Sequence, residues 1–118
     1  MALLAVFTTV SDDAQASALA RGAIEQRLAA CVQQEAIRST YRWQGAIESG
    51  AEVRLLFKTT RERVDALIGW LATNHPYELP AIYALPVAAG TPAYAAWVTE
   101  SVMPQAHKRA SAPVPHRP

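Results

Sequence analysis

The residues of this chain best suited to chemistry lie in one proline-bracketed segment, His75-Pro76-Tyr77-Glu78-Leu79-Pro80. An imidazole is a good ligand for Cu(II) or Zn(II), and a carboxylate can join it. His75, with Glu78 as a second donor, is therefore the candidate metal ligand. A structural role as a capping or packing histidine stays open, because no paired-histidine or C-x-x-C spacing accompanies it.

A second candidate site would take an anion. Lys58 ends a predicted strand next to Thr59 and Thr60, and free amide groups at the start of the following helix attract anions. We predict that Lys58, Tyr77 and Glu78 line a cleft for a small anionic ligand. A lysine on the solvated side of a strand is the structural alternative.

The remaining chemistry-bearing residue types indicate packing. Cys31 is the single cysteine, and a cysteine without a basic neighbour is usually a small buried hydrophobe. The chain has no G-x-S-x-G sequence, no glycine-rich phosphate loop and no paired carboxylates. We therefore predict that the protein is not an enzyme.

Composition favours one soluble domain. The chain has 118 residues, of which 51% are hydrophobic and 18% charged, with a formal net charge of +1. No apolar run reaches the ~18 residues that a membrane-spanning helix needs. We expect a cytoplasmic protein without membrane contact, and the near-neutral charge argues against nucleic acid as a partner.

Charge and composition change near residue 104. Residues 104–118 are rich in proline and alanine and carry Lys108, Arg109 and Arg117 without an acid, which leaves a net charge of −2 on residues 1–103. We predict a domain over 1–103 and a flexible basic tail over 104–118, because the tail has no apolar periodicity to bury. A docking role for the tail is the alternative.

Periodicity predicts the elements that position the candidate residues. An apolar run over 3–10 is typical of a central strand. The capping pair Asp12 and Gln15 then opens a helix with an apolar stripe over 16–28. After Cys31 the apolar period changes to two, which indicates extended structure.

This extended segment predicts a long hairpin. We place its turn at residues 48–51, with Gly50 available for a positive φ. Tyr41 and Ile47 are then predicted on one face, with Arg42 on the other. The hairpin is longer than a small sheet requires, so part of it is expected to project beyond its own domain.

The second half of the chain repeats the pattern. A capping pair, Thr59 and Glu62, opens a helix that must end before Pro76. A strand follows over 81–87, and Thr91 caps a last short helix.

The resulting order is that of a ferredoxin-like split βαβ fold of the α+β class, an antiparallel sheet with helices on one face. The other face of such a sheet lacks a cover, and its aromatic side chains are costly to leave in water. We predict that copies of the chain cover it, with each long hairpin reaching a neighbour's edge strand. Three-fold symmetry lets each hairpin serve the next subunit, so we predict a homotrimer.

Five segments carry a resemblance to a known family. They are Leu28-Ala29-Ala30-Cys31-Val32, Tyr41-Arg42-Trp43-Gln44-Gly45, Lys58-Thr59-Thr60, His75-Pro76-Tyr77-Glu78-Leu79-Pro80 and Tyr94-Ala95-Ala96-Trp97. In order and spacing they resemble the CutA divalent-cation tolerance family, over about residues 3–102. The resemblance implies a trimer of ferredoxin-like subunits, a link to copper and other divalent cations, and a likeness to the PII signalling proteins.

The resemblance also implies where a copper ion would bind. In the form of the family with described copper ligands, a cysteine ends the first strand and two adjacent histidines precede Pro-Tyr. The corresponding positions here are Thr8, Asn74 and His75, and only His75 is a good copper donor. The expectation is weak binding of Cu(II) or another divalent cation through His75. A PII-like module that binds a small anionic ligand between subunits is the alternative.

Overall fold

Four strands and three helices make up residues 2–104, the part of the chain that this computed structural model describes. In chain order they are β1 (Leu3–Val10), α1 (Asp13–Glu25), β2 (Cys31–Trp43), β3 (Ala46–Thr60), α2 (Arg61–Asn74), β4 (Ile82–Pro86) and α3 (Pro92–Ser101). This is the predicted order. The tail predicted over 104–118 lies, except for Pro104, outside the described residues. No helix among residues 2–104 is long and apolar enough to cross a membrane.

The strands form one antiparallel sheet in the order β2-β3-β1-β4. β1 is central, as predicted, and pairs with β3 along its whole length. β4 is an edge strand that pairs with β1 alone. It tolerates Pro86, which lacks a backbone N–H, because no second neighbouring strand needs that donor. The predicted α+β, ferredoxin-like fold is thereby confirmed.

α1 and α2 cover one face of the sheet and form the core with it. Side chains alternate along β1, so that Leu4, Val6, Thr8 and Val10 are buried and the intervening residues are partly exposed. The helix residues that pack against this face are the predicted stripes, Ala16, Leu19, Ala23, Val64, Leu67 and Leu71.

α3 contacts the opposite face at one end of the sheet. Lys58 alternates on β3 with the buried Phe57 and Thr59, so its side chain points away from α1 and α2. Its Nζ lies 5.4 Å from the centre of the Tyr94 ring of α3. The buried Val98 lies one helical turn further along α3.

The remainder of this second face, which we call the open face, has no covering helix among the described residues. Phe7 lies between Leu56 and Tyr83 in the strand register. The rings of Phe7 and Tyr83 stack with 5.4 Å between centroids. Tyr83 and Leu85 are 49% and 50% exposed, so a contiguous apolar surface faces solvent on a single chain.

β2 and β3 continue beyond the body of the molecule, as predicted. β1 ends at Val10, opposite Val53, whereas β2 and β3 pair as far as Trp43 and Ala46. We call residues 37–52 the arm and the pair Ile37–Glu52 its root. The arm helps to make the longest dimension 52 Å, against 29 and 25 Å for the others.

The turn predicted at residues 48–51 is wrong. The chain turns at Gln44 and Gly45, whose φ values of 50° and 83° are the two positive φ angles of a type I′ hairpin. Gly50 instead lies within β3, opposite Ser39. In the observed register Ile47 lies opposite Arg42, and residues paired across two strands share a face. The prediction that Ile47 shares a face with Tyr41 is therefore wrong.

The second predicted capping pair is wrong as well. Thr60 is the N-cap residue of α2, and no side chain caps that helix. The hydroxyl of Thr59 is buried and donates to the carbonyl oxygen of Leu28 at 2.7 Å. The caps predicted at Asp12 and Thr91 are confirmed, because each side chain accepts a backbone N–H of its helix.

Candidate functional site

His75 connects the end of α2 to the end of β1. It is the C-cap residue and is extended, with φ −75° and ψ 140°, as the following Pro76 requires. Its Nδ1 accepts a hydrogen bond from the backbone N–H of Tyr77 at 3.1 Å. Its Nε2 lies 2.9 Å from Thr8 Oγ1 and 3.0 Å from the Thr9 carbonyl oxygen.

These partners determine which ring nitrogen carries the proton. A backbone N–H can only donate, so Nδ1 is the acceptor and the proton of the neutral ring lies on Nε2, from which it is donated toward Thr9. Burial lowers the pKa of His75 from its ordinary value of 6.5, against the opposing effects of the Thr9 hydrogen bond and the Glu52 charge. The ring is therefore neutral near pH 7, and the neutral ring is the form that binds metal.

Tyr77 lies beside His75 and contacts two further parts of the fold. Its hydroxyl donates to Glu52 Oε2 at 2.7 Å and accepts from the Ser11 hydroxyl at 3.1 Å. Its ring meets the His75 ring edge-on, with 4.9 Å between centroids. Burial and the bond to Glu52 raise the pKa of Tyr77 to about 12. The phenol is thus a stable hydrogen-bond donor to the root of the arm.

The other positions that the resemblance aligns with copper ligands differ in their surroundings. Thr8 is buried on the core side of β1, and its hydroxyl lies against the His75 ring. Asn74 is exposed, and its side-chain N–H donates to the Trp70 carbonyl oxygen of its own helix at 2.8 Å. The structure therefore brings Thr8 to His75 and leaves Asn74 bonded within α2.

Nε2 offers a cation one imidazole nitrogen, and the nearest oxygens are those to which it is now hydrogen-bonded, Thr8 Oγ1 at 2.9 Å and the Thr9 carbonyl oxygen at 3.0 Å. A cation on Nε2 must move the ring proton to Nδ1, where it meets the N–H of Tyr77. Uptake therefore breaks the His75–Tyr77 hydrogen bond. Within residues 2–104, no group of three or more His, Cys, Asp and Glu side chains could hold a metal ion.

The other predicted site residues are not all brought together. Glu78 is exposed in the same loop, while the ring of His75 bonds to Thr8, Thr9 and Tyr77. Lys58 lies six positions along β3 from Glu52, about 20 Å at the rise of a strand. Within one chain, Lys58 is thus remote from Tyr77 and Glu78, and the predicted anion cleft requires a second subunit.

Sequence reasoning missed Glu52 and Ser11. Glu52 fits the pattern of a solvated strand residue, and Ser11 fits that of a turn residue, so neither is distinctive by type or spacing. The one available signal is the phenol of Tyr77, because a partly buried tyrosine hydroxyl usually has a hydrogen-bond partner. Which residue supplies it depends on contacts 25 and 66 positions away along the chain.

Comparison with known proteins agrees with this fold. The family described as CutA1 divalent ion tolerance protein matches residues 4–101. The divalent-cation tolerance protein CutA of Pectobacterium atrosepticum is 39% identical over 98 residues, which are 82% of this chain and 89% of that protein. Protein CutA of Mus musculus is 43% identical over 102 residues, but the chain spans only 58% of the mouse protein.

Solved structures give the same relationship. CutA from Synechococcus elongatus PCC7942 superposes with a TM-score of 0.84 at 45% identity, over 86% of this chain and 91% of that chain. CutA from Xylella fastidiosa superposes with a TM-score of 0.83 at 40% identity, over 86% and 98% of the two chains. The similarity therefore includes the sheet and the helix end that position His75.

Proposed function

This chain belongs to the CutA1 divalent ion tolerance protein family. We propose that it is a non-enzymatic, cytoplasmic homotrimer that responds to metal ions. In this proposal, His75 binds Cu(II) or another divalent cation weakly. The observation that carries the proposal is the neutral imidazole, whose Nε2 has two oxygens within 3.0 Å. Imidazole nitrogen suits Cu(II) and Zn(II).

Two features support weak rather than tight binding. The site offers one imidazole, a hydroxyl and a carbonyl, without the thiolate and second imidazole that favour copper most strongly. Cation uptake also costs the hydrogen bond between His75 Nδ1 and the Tyr77 N–H. Glu78, which is exposed in the same loop, is the remaining candidate donor.

The binding proposal is tested by titration with Cu(II). His107 and His116 of the tail would bind copper themselves, so both are replaced by alanine in every protein, and no histidine tag is used. We expect about one weakly bound Cu(II) per chain, lost in His75→Ala and reduced in Glu78→Gln. Circular dichroism checks that the variants fold. An unchanged isotherm in folded His75→Ala would exclude the site.

The trimer proposal is supported by the open face and the arm. The open face leaves Tyr83 and Leu85 about half exposed beside Phe7, and water is an unfavourable neighbour for such a contiguous apolar surface. The arm extends its paired strands beyond the body of its own chain, within reach of another copy. Copies related by a closed symmetry satisfy both features at once.

A second candidate function is a PII-like module with a small anionic ligand between subunits. The observation in its favour is Lys58, a partly exposed cation on the second face of the sheet, whose Nζ lies 5.4 Å from the centre of the Tyr94 ring. A panel of anionic metabolites tested by thermal shift discriminates, because a ligand that binds only the native state raises the melting temperature. A shift that Lys58→Gln abolishes would favour this function over cation binding, and a flat panel would count against it.

A further inference from the structure

Tyr77 is the residue through which the candidate cation site touches the arm. Its backbone N–H donates to His75 Nδ1 at 3.1 Å. Its hydroxyl, at the other end of the side chain, donates to Glu52 Oε2 at 2.7 Å. One residue thus bonds at one end to the imidazole and at the other end to the root of the arm.

The bond to His75 has two alternative states. With the proton on Nε2, Nδ1 accepts from Tyr77 and the loop lies close to the ring. With a cation on Nε2, the proton occupies Nδ1 and faces another N–H, so the Tyr77 backbone must move away. Because the phenol is attached to that backbone, the same movement displaces its hydroxyl relative to Glu52 Oε2, to which it donates at 2.7 Å.

The arm is sensitive to a contact at this position. Glu52 is the first β3 residue beyond the last pair with β1, which is Val10–Val53. From Glu52 outward the arm is a two-stranded ribbon, and such ribbons are only marginally stable by themselves. The hydrogen bond from Tyr77 to the charged acceptor Glu52 ties the root of the arm to the loop that follows α2.

We propose that Tyr77 transmits the state of the His75 ring to the root of the arm, so that a cation taken up at His75 loosens the arm. The inference rests on the proposed function in two respects, namely that a cation binds at His75 and that the arm contacts another subunit. It makes the arm the element that a cation regulates. By linkage, fixing the arm against a neighbouring copy must weaken cation binding by the same factor.

The coupling is measured without a cation by hydrogen exchange of the full-length chain. Peptides covering residues 37–54 are followed in the wild type, His75→Ala, Tyr77→Phe and the double variant. We expect His75→Ala to accelerate exchange in the arm about tenfold when Tyr77 is present and to add little when Phe replaces it. Tyr94→Phe, which keeps the ring beside Lys58, is the control and should leave the arm unchanged.

Equal acceleration by His75→Ala in both backgrounds, or none in either, would overturn the inference. Peptides from β1 and β4 show whether a variant has opened the whole sheet. If His75→Ala does so, His75→Gln, which keeps a polar side chain, takes its place in the cycle.

A second measurement adds Cu(II) to the protein that lacks the two tail histidines. Faster exchange in the arm of this protein, but not of its Tyr77→Phe counterpart, is expected. Copper that binds without changing arm exchange overturns the coupling and leaves the proposed function intact. Copper that does not bind overturns the proposed function, and the cation-free variants then decide the coupling.

Discussion

The hydrogen bonds that hold His75 in place also set the conditions under which it can bind anything else. Both ring nitrogens are engaged, Nδ1 with the Tyr77 N–H and Nε2 with the oxygens of Thr8 and Thr9. A histidine in that position stabilises the end of a helix and the end of a strand together. A proton or a cation is therefore bound only at the expense of a structural contact.

The hydrogen bonds of the neutral His75 ring make the stability of the fold depend on pH. Burial lowers the pKa of His75 in the folded chain below 6.5, so below about pH 6.5 the unfolded chain binds more protons at this residue. The stability that the neutral ring contributes is present above that pH and is lost as the pH falls toward the folded pKa. We expect the melting temperature of the wild type to fall more between about pH 7.5 and about pH 5 than that of His75→Gln.

His75→Gln differs from the wild type at this residue alone, so the difference between the two profiles reports His75 together with its interaction with Glu52. Parallel profiles would show that the protonation of His75 is not linked to folding.

At the scale of elements, the periodic features were accessible from the sequence and the turns were not. The apolar stripes of α1 and α2 depend on spacing alone, and the apolar run of β1 is a local feature; these three elements lie as predicted. The hairpin turn depends on which residues take a positive φ, and Glu48-Ser49-Gly50 has a turn-like composition although Gly45 fulfils that role. The contact of Tyr77 with Glu52 depends on how distant elements meet, which local patterns do not encode.

The corrected turn predicts opposite effects for two glycines of the arm. Gly45 has a φ of 83°, where a side chain costs about 1 kcal/mol, so Gly45→Ala should destabilise. Gly50 lies in β3, where an added Cβ would have no neighbour within 4 Å, and alanine suits a strand better than glycine. Gly50→Ala should therefore be neutral or slightly stabilising in urea unfolding. The reverse order would return the turn to residues 48–51.

The packing of α1 on α2 predicts a similar contrast. A Cβ at Gly22 would lie 2.6 Å from Cζ2 and 2.7 Å from Cη2 of Trp70, whereas a Cβ at Gly69 has no neighbour within 4 Å. Gly22→Ala should cost about 1–3 kcal/mol of unfolding free energy because the indole must shift. Gly69→Ala should be neutral or stabilise by up to about 1 kcal/mol, because alanine is the better helix former.

Chemical denaturation of both variants checks this contrast. A Gly22→Ala protein as stable as Gly69→Ala would mean that Trp70 does not lie against α1 in solution.

At the scale of the whole molecule, one chain by itself is not a compact shape. Its radius of gyration is 15.6 Å, whereas about 13 Å is usual for 100 residues. The excess reflects the arm, which extends from a body whose open face is apolar. Both features are explained if other copies of the chain cover the open face and contact the arm.

Light scattering of the purified protein during size-exclusion chromatography tests this self-association most directly. We predict a single species of three times the 12.8 kDa of one chain, stable on dilution to micromolar concentration. A species of 12.8 kDa at that concentration would contradict it, because the open face and the arm would then be exposed on a stable monomer.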